Sequence, residues 1–272
     1  MNDNTAKMII ENYELSNEDI RLKDSFGILE EAHTRLLITE QLSSSVQEIY
    51  DIGGGTGAYS FWLAQQGYKV HLSDIVPKHI QIAKEKDTEK ILKTIQVEDA
   101  RWLSYKDEVA DLIILHGPLY HLTNIEDRKL VLKECKRILR PKGRLLAFTM
   151  GRYAGLNYGL ASNTIFNDSY YEMVINEIKT GVRDNHEQKL KTFIEAYFHT
   201  QEEIENELCN VGFSVGRTYG VIGPSWNVPN LDEAVNDKKK FERLLYIADL
   251  MKEYPIYGPR MLTIGNKTDI SK

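Results

Sequence analysis

The 272-residue chain has little of several features that mark whole classes of protein. It contains only two cysteines, Cys135 and Cys209, both within helical patterns, so we expect reduced, buried thiols and no disulfide framework. No apolar run approaches the roughly 18 residues that a membrane-spanning helix requires. The apolar trio at 8–10 is broken at once by Glu11, so no targeting peptide is expected either. These absences predict a cytoplasmic protein with no membrane segment.

Basic residues are also fewer than acidic ones. The chain has 34 Lys and Arg against 40 Asp and Glu, a net charge of −6, and its one dense basic run, 238–240, is interpreted as the solvated start of a helix. Because a nucleic-acid backbone requires a positive surface, DNA and bulk RNA are not expected as partners, whereas a small basic or neutral metabolite is compatible. No evident set of paired carboxylates predicts a divalent metal, although the sequence alone leaves Asp99 and Asp111 open for that role.

What the chain does have is a glycine-rich turn directly after a short apolar strand, in the segment EIYDIGGGTG at 48–57. Only glycine tolerates the positive φ of such a turn and lets bare backbone N–H groups approach a ligand. The helix predicted at 58–66 directs the positive end of its dipole at the same place. The pattern predicts a nucleotide-type ligand site at the head of an α/β sheet, formed by Gly53, Gly54, Gly55 and Gly57.

These glycines satisfy two different spacings. Gly53-x-Gly55-x-x-Ala58 matches the dinucleotide fingerprint of NAD and FAD proteins. With Asp51 two residues before the first glycine, the same segment resembles the first motif of the class I S-adenosylmethionine-dependent methyltransferases. A pyrophosphate disfavours a nearby carboxylate, whereas S-adenosylmethionine carries an ammonium and a sulfonium, so Asp51 favours the cationic ligand.

The resemblance implies a role for an acid at the end of each of the first three strands. Asp51 is expected beside the methionine ammonium of the cofactor. Asp74, with the neighbouring Ile75, follows the second predicted strand and is placed to accept from ribose hydroxyls, a device that NAD enzymes share. Asp99 follows the third segment and is expected to accept from the adenine amino group, with Ala100 beside the ring. Three acids in this order favour the methyltransferase over the dehydrogenase.

The rest of the core resembles the same family. A fourth strand at 109–115, a helix at 125–139 and a fifth strand at 144–150 are followed by strands at 214–220 and 260–265. The predicted fold is α/β, a doubly wound Rossmann-like sheet of seven strands in the order 3-2-1-4-5-7-6, with the last strand antiparallel. We interpret the chain as one domain with a helical N-terminal cover (1–44), a cofactor-binding core (45–150), a substrate lid inserted after the fifth strand (151–196) and the C-terminal part of the sheet (197–272).

Further candidates come from the GPLYHL segment at 117–122, which resembles a subset of the family that acts on small molecules. Methyl transfer is an in-line displacement, so positioning supplies much of the rate and a base is needed only for a protonated, weakly acidic nucleophile. The candidate bases are His121 and His199. The other candidates are His116, Tyr13 and Arg21 at the cofactor, and Tyr120, Arg152, Tyr153 and Tyr197 at the substrate.

The sequence therefore predicts an S-adenosylmethionine-dependent methyltransferase, with S-adenosylhomocysteine as product and a small-molecule O, N, S or C nucleophile as acceptor. No Asn-Pro-Pro-Tyr or Asp-Pro-Pro-Tyr segment follows the fourth strand, which counts against adenine or glutamine amino groups as targets. Three alternatives stay open: a tRNA wobble-uridine-type methyltransferase, an NAD-dependent oxidoreductase, and a non-catalytic cofactor-binding module. The oligomeric state is not indicated.

Overall fold

The computed structural model describes residues 4–14, 22–185 and 195–268. The strands are β1 (Glu48–Ile52), β2 (Lys69–Asp74), β3 (Thr94–Val97), β4 (Ala110–His116), β5 (Leu139–Gly151), β6 (Val182–Asp184), β7 (Glu195–His199), β8 (Phe213–Val221) and β9 (Arg260–Lys267). The α-helices are α1 (Asn4–Glu14), α2 (Ser25–Thr39), α3 (Ala58–Gln65), α4 (Pro77–Lys86), α5 (Pro118–His121), α6 (Ile125–Ile138), α7 (Ala154–Ala161), α8 (Asp168–Thr180), α9 (Gln201–Asn210), α10 (Leu231–Asn236) and α11 (Lys238–Leu250), with 3₁₀ turns at Thr164–Phe166 and Pro255–Tyr257.

The main sheet has the order β3-β2-β1-β4-β5-β9-β8. The first five of these strands are parallel to one another, and β9 is antiparallel to both β5 and β8. The strands predicted at 214–220 and 260–265 are β8 and β9, so the predicted order 3-2-1-4-5-7-6 with an antiparallel last strand is confirmed. Because parallel strands end at the same edge of a sheet, the turns after β1, β2 and β4 lie close together.

A short hairpin that the sequence did not predict extends this sheet. β7 pairs antiparallel with β6 and parallel with β5, where Met150 and Gly151 lie opposite Phe198 and His199. β4 pairs with β5 only as far as Phe148, so β7 joins β5 beyond the pairing with β4. The predicted boundary between lid and C-terminal part, at 196/197, falls inside β7.

The two faces of the sheet are covered by separate apolar cores. Alternate residues of β4 divide between them: Leu112 and Ile114 pack with α2 and α3, whereas Ile113 and Leu115 pack with α6 and α9. Each large apolar side chain that is fully buried contributes roughly 1.5–3 kcal/mol. The near-continuous apolar run of this central strand is thus explained by burial on both faces.

The lid predicted at 151–196 is largely helical. The sequence of this segment predicts one helix, at 169–179; α8 confirms it, and α7 is a further helix that the sequence does not predict. Tyr170, Met173, Val174 and Ile165 form a small core of the lid's own. Tyr158, Phe166 and Tyr171 are exposed, and Phe193 lies outside the described residues.

The sequence predicts a capping box at Thr200 and Glu203, which the start of α9 confirms, and the structure shows one further role for it. Thr200 Oγ1 accepts from Glu203 N–H at 3.2 Å, and the Glu203 carboxylate accepts from Thr200 N–H at 2.8 Å. The same carboxylate accepts from Arg152 in the lid at 2.6 Å. One acid therefore caps a helix of the sheet and holds the base of the lid.

The prediction that both cysteines are buried is wrong for one of them. Cys135 is buried, whereas Cys209 is exposed. The buried face of α9 runs through Ile204 and Leu208, and Cys209 is turned about 100° from Leu208 around the helix axis. None of the helices in the described part of the chain is long and apolar enough to cross a lipid bilayer.

Candidate functional site

A cavity of about 950 Å³, counting its open mouth, lies at the carboxyl ends of β1, β2 and β4. Eleven predicted site residues line it: Tyr13, Gly53, Gly54, Gly55, Asp74, Ile75, Asp99, Ala100, His116, Tyr120 and His121. Lining residues that the sequence analysis missed include Ile9, Leu22, Thr56, Tyr59, His79 and Arg101. Arg21 lies outside the described residues. The segments after β1 to β4 meet here because parallel strands end at the same edge of the sheet, and the N-terminal residues Ile9, Tyr13 and Leu22 add to the wall.

The glycine loop has the conformation expected of it. Gly53 and Gly55 have φ of +73° and +59°. A Cβ on Gly53 would lie 2.5 Å from Cδ of Pro118, and one on Gly54 would lie 2.5 Å from Oδ2 of Asp51. Glycine is therefore required both for the backbone turn and for the close approach of neighbouring groups.

The N–H groups of this loop are not bare, contrary to expectation. Gly53 and Gly54 donate to the carbonyl of Ser73 at 2.8 and 3.2 Å. Gly55 donates to the carboxylate of Asp74 at 2.9 Å. A pyrophosphate site depends on free N–H groups at such a turn, so a loop whose donors are already paired favours a ligand without phosphates.

Asp51 occupies a different position from the one predicted. Its side chain is fully buried beneath Gly54 and does not line the cavity. Oδ2 accepts from Ser60 Oγ at 2.6 Å, whereas Oδ1 has no hydrogen-bond partner among the described residues. Burial raises the pKa of Asp51 to about 7, and the nearby charge of Asp74 adds to the rise while Ser60 opposes it. The carboxylate acts on the cavity as a charge beneath the loop, not as a direct contact.

Gly57 also lies outside the lining. It is the N-cap of α3, with φ of +90°, and a Cβ there would approach the ring of Phe61 to 2.9 Å. Its role is to begin the helix.

Asp74 does line the cavity and also holds its walls. One carboxylate oxygen accepts from Gly55 N–H at 2.9 Å and the other from Val76 N–H at 2.8 Å. His79 Nδ1 lies 3.3 Å from the same carboxylate. The oxygen bound to Gly55 keeps a second lone pair, so the side chain can accept a further hydrogen bond, as from a ribose hydroxyl.

Asp99 lines the cavity as expected, but in an ion pair that was not predicted. Arg101 donates from Nε at 3.1 Å and from NH2 at 2.7 Å to its two oxygens. Arg101 is itself buried, and its NH1 lies 3.3 Å from Oδ1 of Asp127. The pair presents an acceptor and a flat guanidinium at the end of β3, which suits the edge and face of a purine.

His121 lies deep in the cavity, in contact with the N-terminal helix. Its Nε2 lies 2.7 Å from the hydroxyl of Tyr13, whose ring packs edge-on against the rings of both His121 and His79. Burial lowers the pKa of His121 to about 4, with Asp74 opposing and Arg260 reinforcing the shift. The imidazole is consequently neutral at neutral pH.

Besides Asp51 and Gly57, four further predicted residues do not line this cavity: His199, Arg152, Tyr153 and Tyr197. Pairing of β7 with β5 buries His199 completely, 3.6 Å from Glu207, and burial lowers its pKa despite that neighbour. Arg152 donates to the carbonyl of Phe198 and to Glu203, so it ties the lid to the core.

Tyr197 and Tyr153, the other two of these four residues, also have structural roles. Tyr197 lies under the guanidinium of Arg128 at 3.8 Å, and Tyr153 is the N-cap of α7. The sequence analysis missed the pairing of β7 with β5 that buries His199.

No metal cluster emerges from the part of the chain that the structure describes: no three His, Cys, Asp or Glu side chains there are grouped to hold an ion. Asp111, which the sequence left open, lies at the opposite end of β4 and accepts from Gln47 and Glu48 N–H, both at 2.9 Å.

Comparison with known proteins gives a family for the cofactor-binding half. Residues 50–147 match the family model described as a methyltransferase domain. A ubiquinone/menaquinone biosynthesis C-methyltransferase, UbiE, of Zymomonas mobilis is 28% identical over 115 residues, which cover 41% of this chain and 46% of that protein. The chain spans about half the length of the curated relatives it matches.

Solved structures share the fold over nearly the whole chain. A Pyrococcus horikoshii protein superposes with a TM-score of 0.61 at 17% identity, covering 95% of this chain and 99% of the other. Magnesium protoporphyrin IX methyltransferase of Synechocystis with bound S-adenosylhomocysteine has a TM-score of 0.56 at 16% identity, covering 97% and 100%. At these identities the likeness shows the fold alone. Residues 50–147 thus match a methyltransferase domain, which agrees with the predicted family over that segment, and the fold extends over the rest of the chain.

Proposed function

We propose that the protein transfers a methyl group from S-adenosylmethionine to a small-molecule O, N, S or C nucleophile. The observation that carries the proposal is the glycine loop: its N–H donors are paired within the protein, and carboxylates lie beneath it and beside it. That arrangement suits a cationic nucleoside better than the pyrophosphate of a nicotinamide dinucleotide.

The residues present fit this cofactor. The buried Oδ1 of Asp51 is an acceptor without a partner among the described residues, under the loop where a positive group is favoured. Asp74 would accept from the ribose hydroxyls, and Asp99 with Arg101 would hold the adenine. When bound, the cofactor supplies a methyl group made electrophilic by its sulfonium.

The flanking segments would then control access. α1 places Tyr13 and Ile9 in the cavity wall, which supports the proposal that residues 1–44 cover the cofactor and exclude water. Residues 151–196 would form the acceptor side. His121 is the group placed to accept a proton from an acceptor that must lose one, since its lowered pKa keeps the imidazole in the neutral form.

The acceptor and the setting belong to the proposal as well. The quinone-pathway name of the UbiE relative describes that protein, and the matched region is the cofactor-binding half, so the acceptor is not carried over from it. A net charge of −6 disfavours a nucleic-acid partner. The free thiols of Cys135 and Cys209 support a reducing, cytoplasmic setting.

Calorimetry tests the proposal directly. S-adenosylhomocysteine should bind with a measurable heat, and NAD⁺ added first should leave that heat unchanged. A Gly54→Val variant should lose the binding, because its Cβ would overlap the carboxylate of Asp51. A Gly216→Ala variant in β8 is the control, since Gly216 has no positive φ and its added Cβ would meet only the amide end of the Asn266 side chain at 3.2 Å and nothing else closer than 3.5 Å. Heat with NAD⁺ alone would reject the assignment.

A further inference from the structure

A second cavity, about 1000 Å³ counting its open side, lies between the lid and the start of α2. Five aromatic side chains line it, Phe26, Tyr158, Tyr170, Phe198 and Trp226. Met150, at the carboxyl end of β5, also lines it. Ligand cavities of this size are commonly apolar with a few polar groups, and this one has the same character.

Two of its rings are arranged to receive another flat group. Trp226 and Tyr158 are nearly parallel, with ring centroids 6.4 Å apart and planes 19° from each other. Phe26 meets Trp226 edge-on at 5.9 Å. Tyr158 is 54% exposed, so its ring offers an open apolar surface that a ligand would cover. Offset and edge-on contacts of this kind stabilise aromatic ligands beyond the area they bury.

At the polar end of the cavity, one positive and one negative side chain neutralise each other. Arg183 lines it and is buried, with Nε 2.9 Å and NH2 2.7 Å from the carboxylate of Glu177. Its guanidinium also lies over the ring of Phe198 at 4.4 Å. Because the fully buried Glu177 offsets this positive charge, the cavity suits an uncharged ligand better than a carboxylate or a phosphate.

The second cavity is a short distance from the cofactor site. Phe148 stacks on His116 of the first cavity with centroids 4.4 Å apart. Met150 comes two residues after Phe148 on the same face of β5, about 7 Å farther along the strand. Arg260 lies opposite Met150 on β9 and covers the ring of Tyr120 at 5.2 Å. Tyr120 and Arg260 therefore form the partition between the two cavities.

We propose that the second cavity holds the methyl acceptor and that this acceptor is a flat, uncharged aromatic molecule whose nucleophilic atom extends past Tyr120. This inference rests on the proposed function. As the bond between that atom and the methyl carbon forms, the methyl–sulfur bond breaks and its electron pair remains on sulfur. The acceptor's proton, where it has one, passes to a base.

The test compares two probes with the same ring skeleton, aromatic 2-naphthol and saturated decahydro-2-naphthol. Each is titrated by calorimetry into the full-length protein, with and without saturating S-adenosylhomocysteine. We expect 2-naphthol to bind in both conditions, about tenfold more tightly than the saturated alcohol. Equal affinities would overturn the proposal, as would displacement of 2-naphthol by S-adenosylhomocysteine, which would place the probe in the first cavity.

Variants locate the binding. Trp226→Ala and Tyr158→Ala should each weaken 2-naphthol binding at least about fivefold without changing the affinity for S-adenosylhomocysteine. Trp226→Phe should keep most of the 2-naphthol binding. This variant shows whether a loss in Trp226→Ala comes from the missing aromatic ring and not from a folding defect. Tyr246→Ala removes an aromatic ring that is 68% exposed on α11 and is the matched control. Unchanged 2-naphthol binding in the first two variants would also overturn the proposal.

The two proposals fail in different ways. If S-adenosylhomocysteine binds and 2-naphthol does not, only the acceptor assignment is lost. If S-adenosylhomocysteine itself gives no heat, the proposed function is wrong, whatever the naphthols do.

Discussion

The two halves of the molecule hold their polar groups in different ways. Around the cofactor cavity, carboxylates at strand ends bind backbone N–H groups of the same or the adjacent turn, as Asp74 does with Gly55 and Val76. Around α9, where the lid joins the core, buried arginines bind partners far along the chain: Arg128 of α6 pairs with Glu207, and Arg152 at the base of the lid pairs with Glu203. The first kind of contact prepares a ligand site, whereas the second fixes one segment of the chain against another.

The largest effect should come from breaking a long-range pair. Arg128 is 2% exposed, chelates Glu207, and donates to the carbonyls of Leu122 and Thr123, both at 2.9 Å. Arg128→Leu would leave Glu207 buried without its cation and lower the free energy of unfolding by about 3–5 kcal/mol. Urea denaturation measures this. Arg217→Leu, at a pair whose arginine is 70% exposed, is the control and should cost less than about 1 kcal/mol. Equal losses of stability in the two variants would show that the buried long-range pair holds the chain no more firmly than the exposed pair.

A change at a strand end should affect binding more than stability. Asp74→Asn removes a charged acceptor that the ribose would use, so the affinity for S-adenosylhomocysteine should fall about tenfold to a hundredfold. Calorimetry measures the loss. Asp107→Asn, at a carboxylate that is 72% exposed, should leave the affinity unchanged. An Asp74→Asn protein that binds normally would show that this side chain only supports the loop.

A smaller, pH-dependent effect is expected at Asp51. Because its pKa in the folded protein is raised to about 7, the folded state keeps a proton that the unfolded chain loses near its ordinary value, about 4. Stability should therefore fall as the pH rises from about 4 to 7, and Asp51→Asn should remove that slope. Over the same range the ionised carboxylate should strengthen binding of the cofactor's ammonium, on the order of tenfold.

Two measurements at a series of pH values check this prediction: urea denaturation and calorimetry with S-adenosylhomocysteine. A wild-type stability that rises over that range, or a slope that Asn retains, would contradict the burial argument. Ser60→Ala is a useful companion, because loss of its hydrogen bond should raise the pKa of Asp51 further.

The smallest functional effect is expected at His199, which sequence reasoning placed among the catalytic candidates. It is fully buried beside Glu207 and lines neither cavity described above. His199→Gln should lower the free energy of unfolding by about 1 kcal/mol and change affinity for S-adenosylhomocysteine less than about twofold. Methyl transfer to an identified acceptor should be retained. A tenfold loss of turnover with stability intact would restore His199 as the candidate base.

The same contrast explains how much the sequence could predict. The glycine loop and the acids after β2 and β3 follow from local patterns, since a strand, a turn and a side chain are read within about ten residues of one another. Asp51 was located in the chain correctly, but its direction depends on the pleat of β1 and on Ser60 of α3. Neither the pleat of β1 nor the contact with Ser60 can be read from the local sequence pattern.

The lid could not be predicted in the same way. β6 has three residues and β7 five, too few for a clear alternation, and the pairing of β7 with β5 spans almost fifty positions. Arg152 and Tyr197 carry the right chemistry for a substrate site, yet that pairing directs them into the protein. Arg152 instead ties the lid to the core.

Glu203 has a practical consequence for protein engineering. Since its carboxylate both begins α9 and receives Arg152, a chimaera that imports a foreign loop region from a homologue would need residues 152 and 203 to be transplanted as a unit. Exchanging Arg152 alone would detach the base of the grafted segment, whereas exchanging Glu203 alone would also weaken the start of a helix some fifty residues downstream.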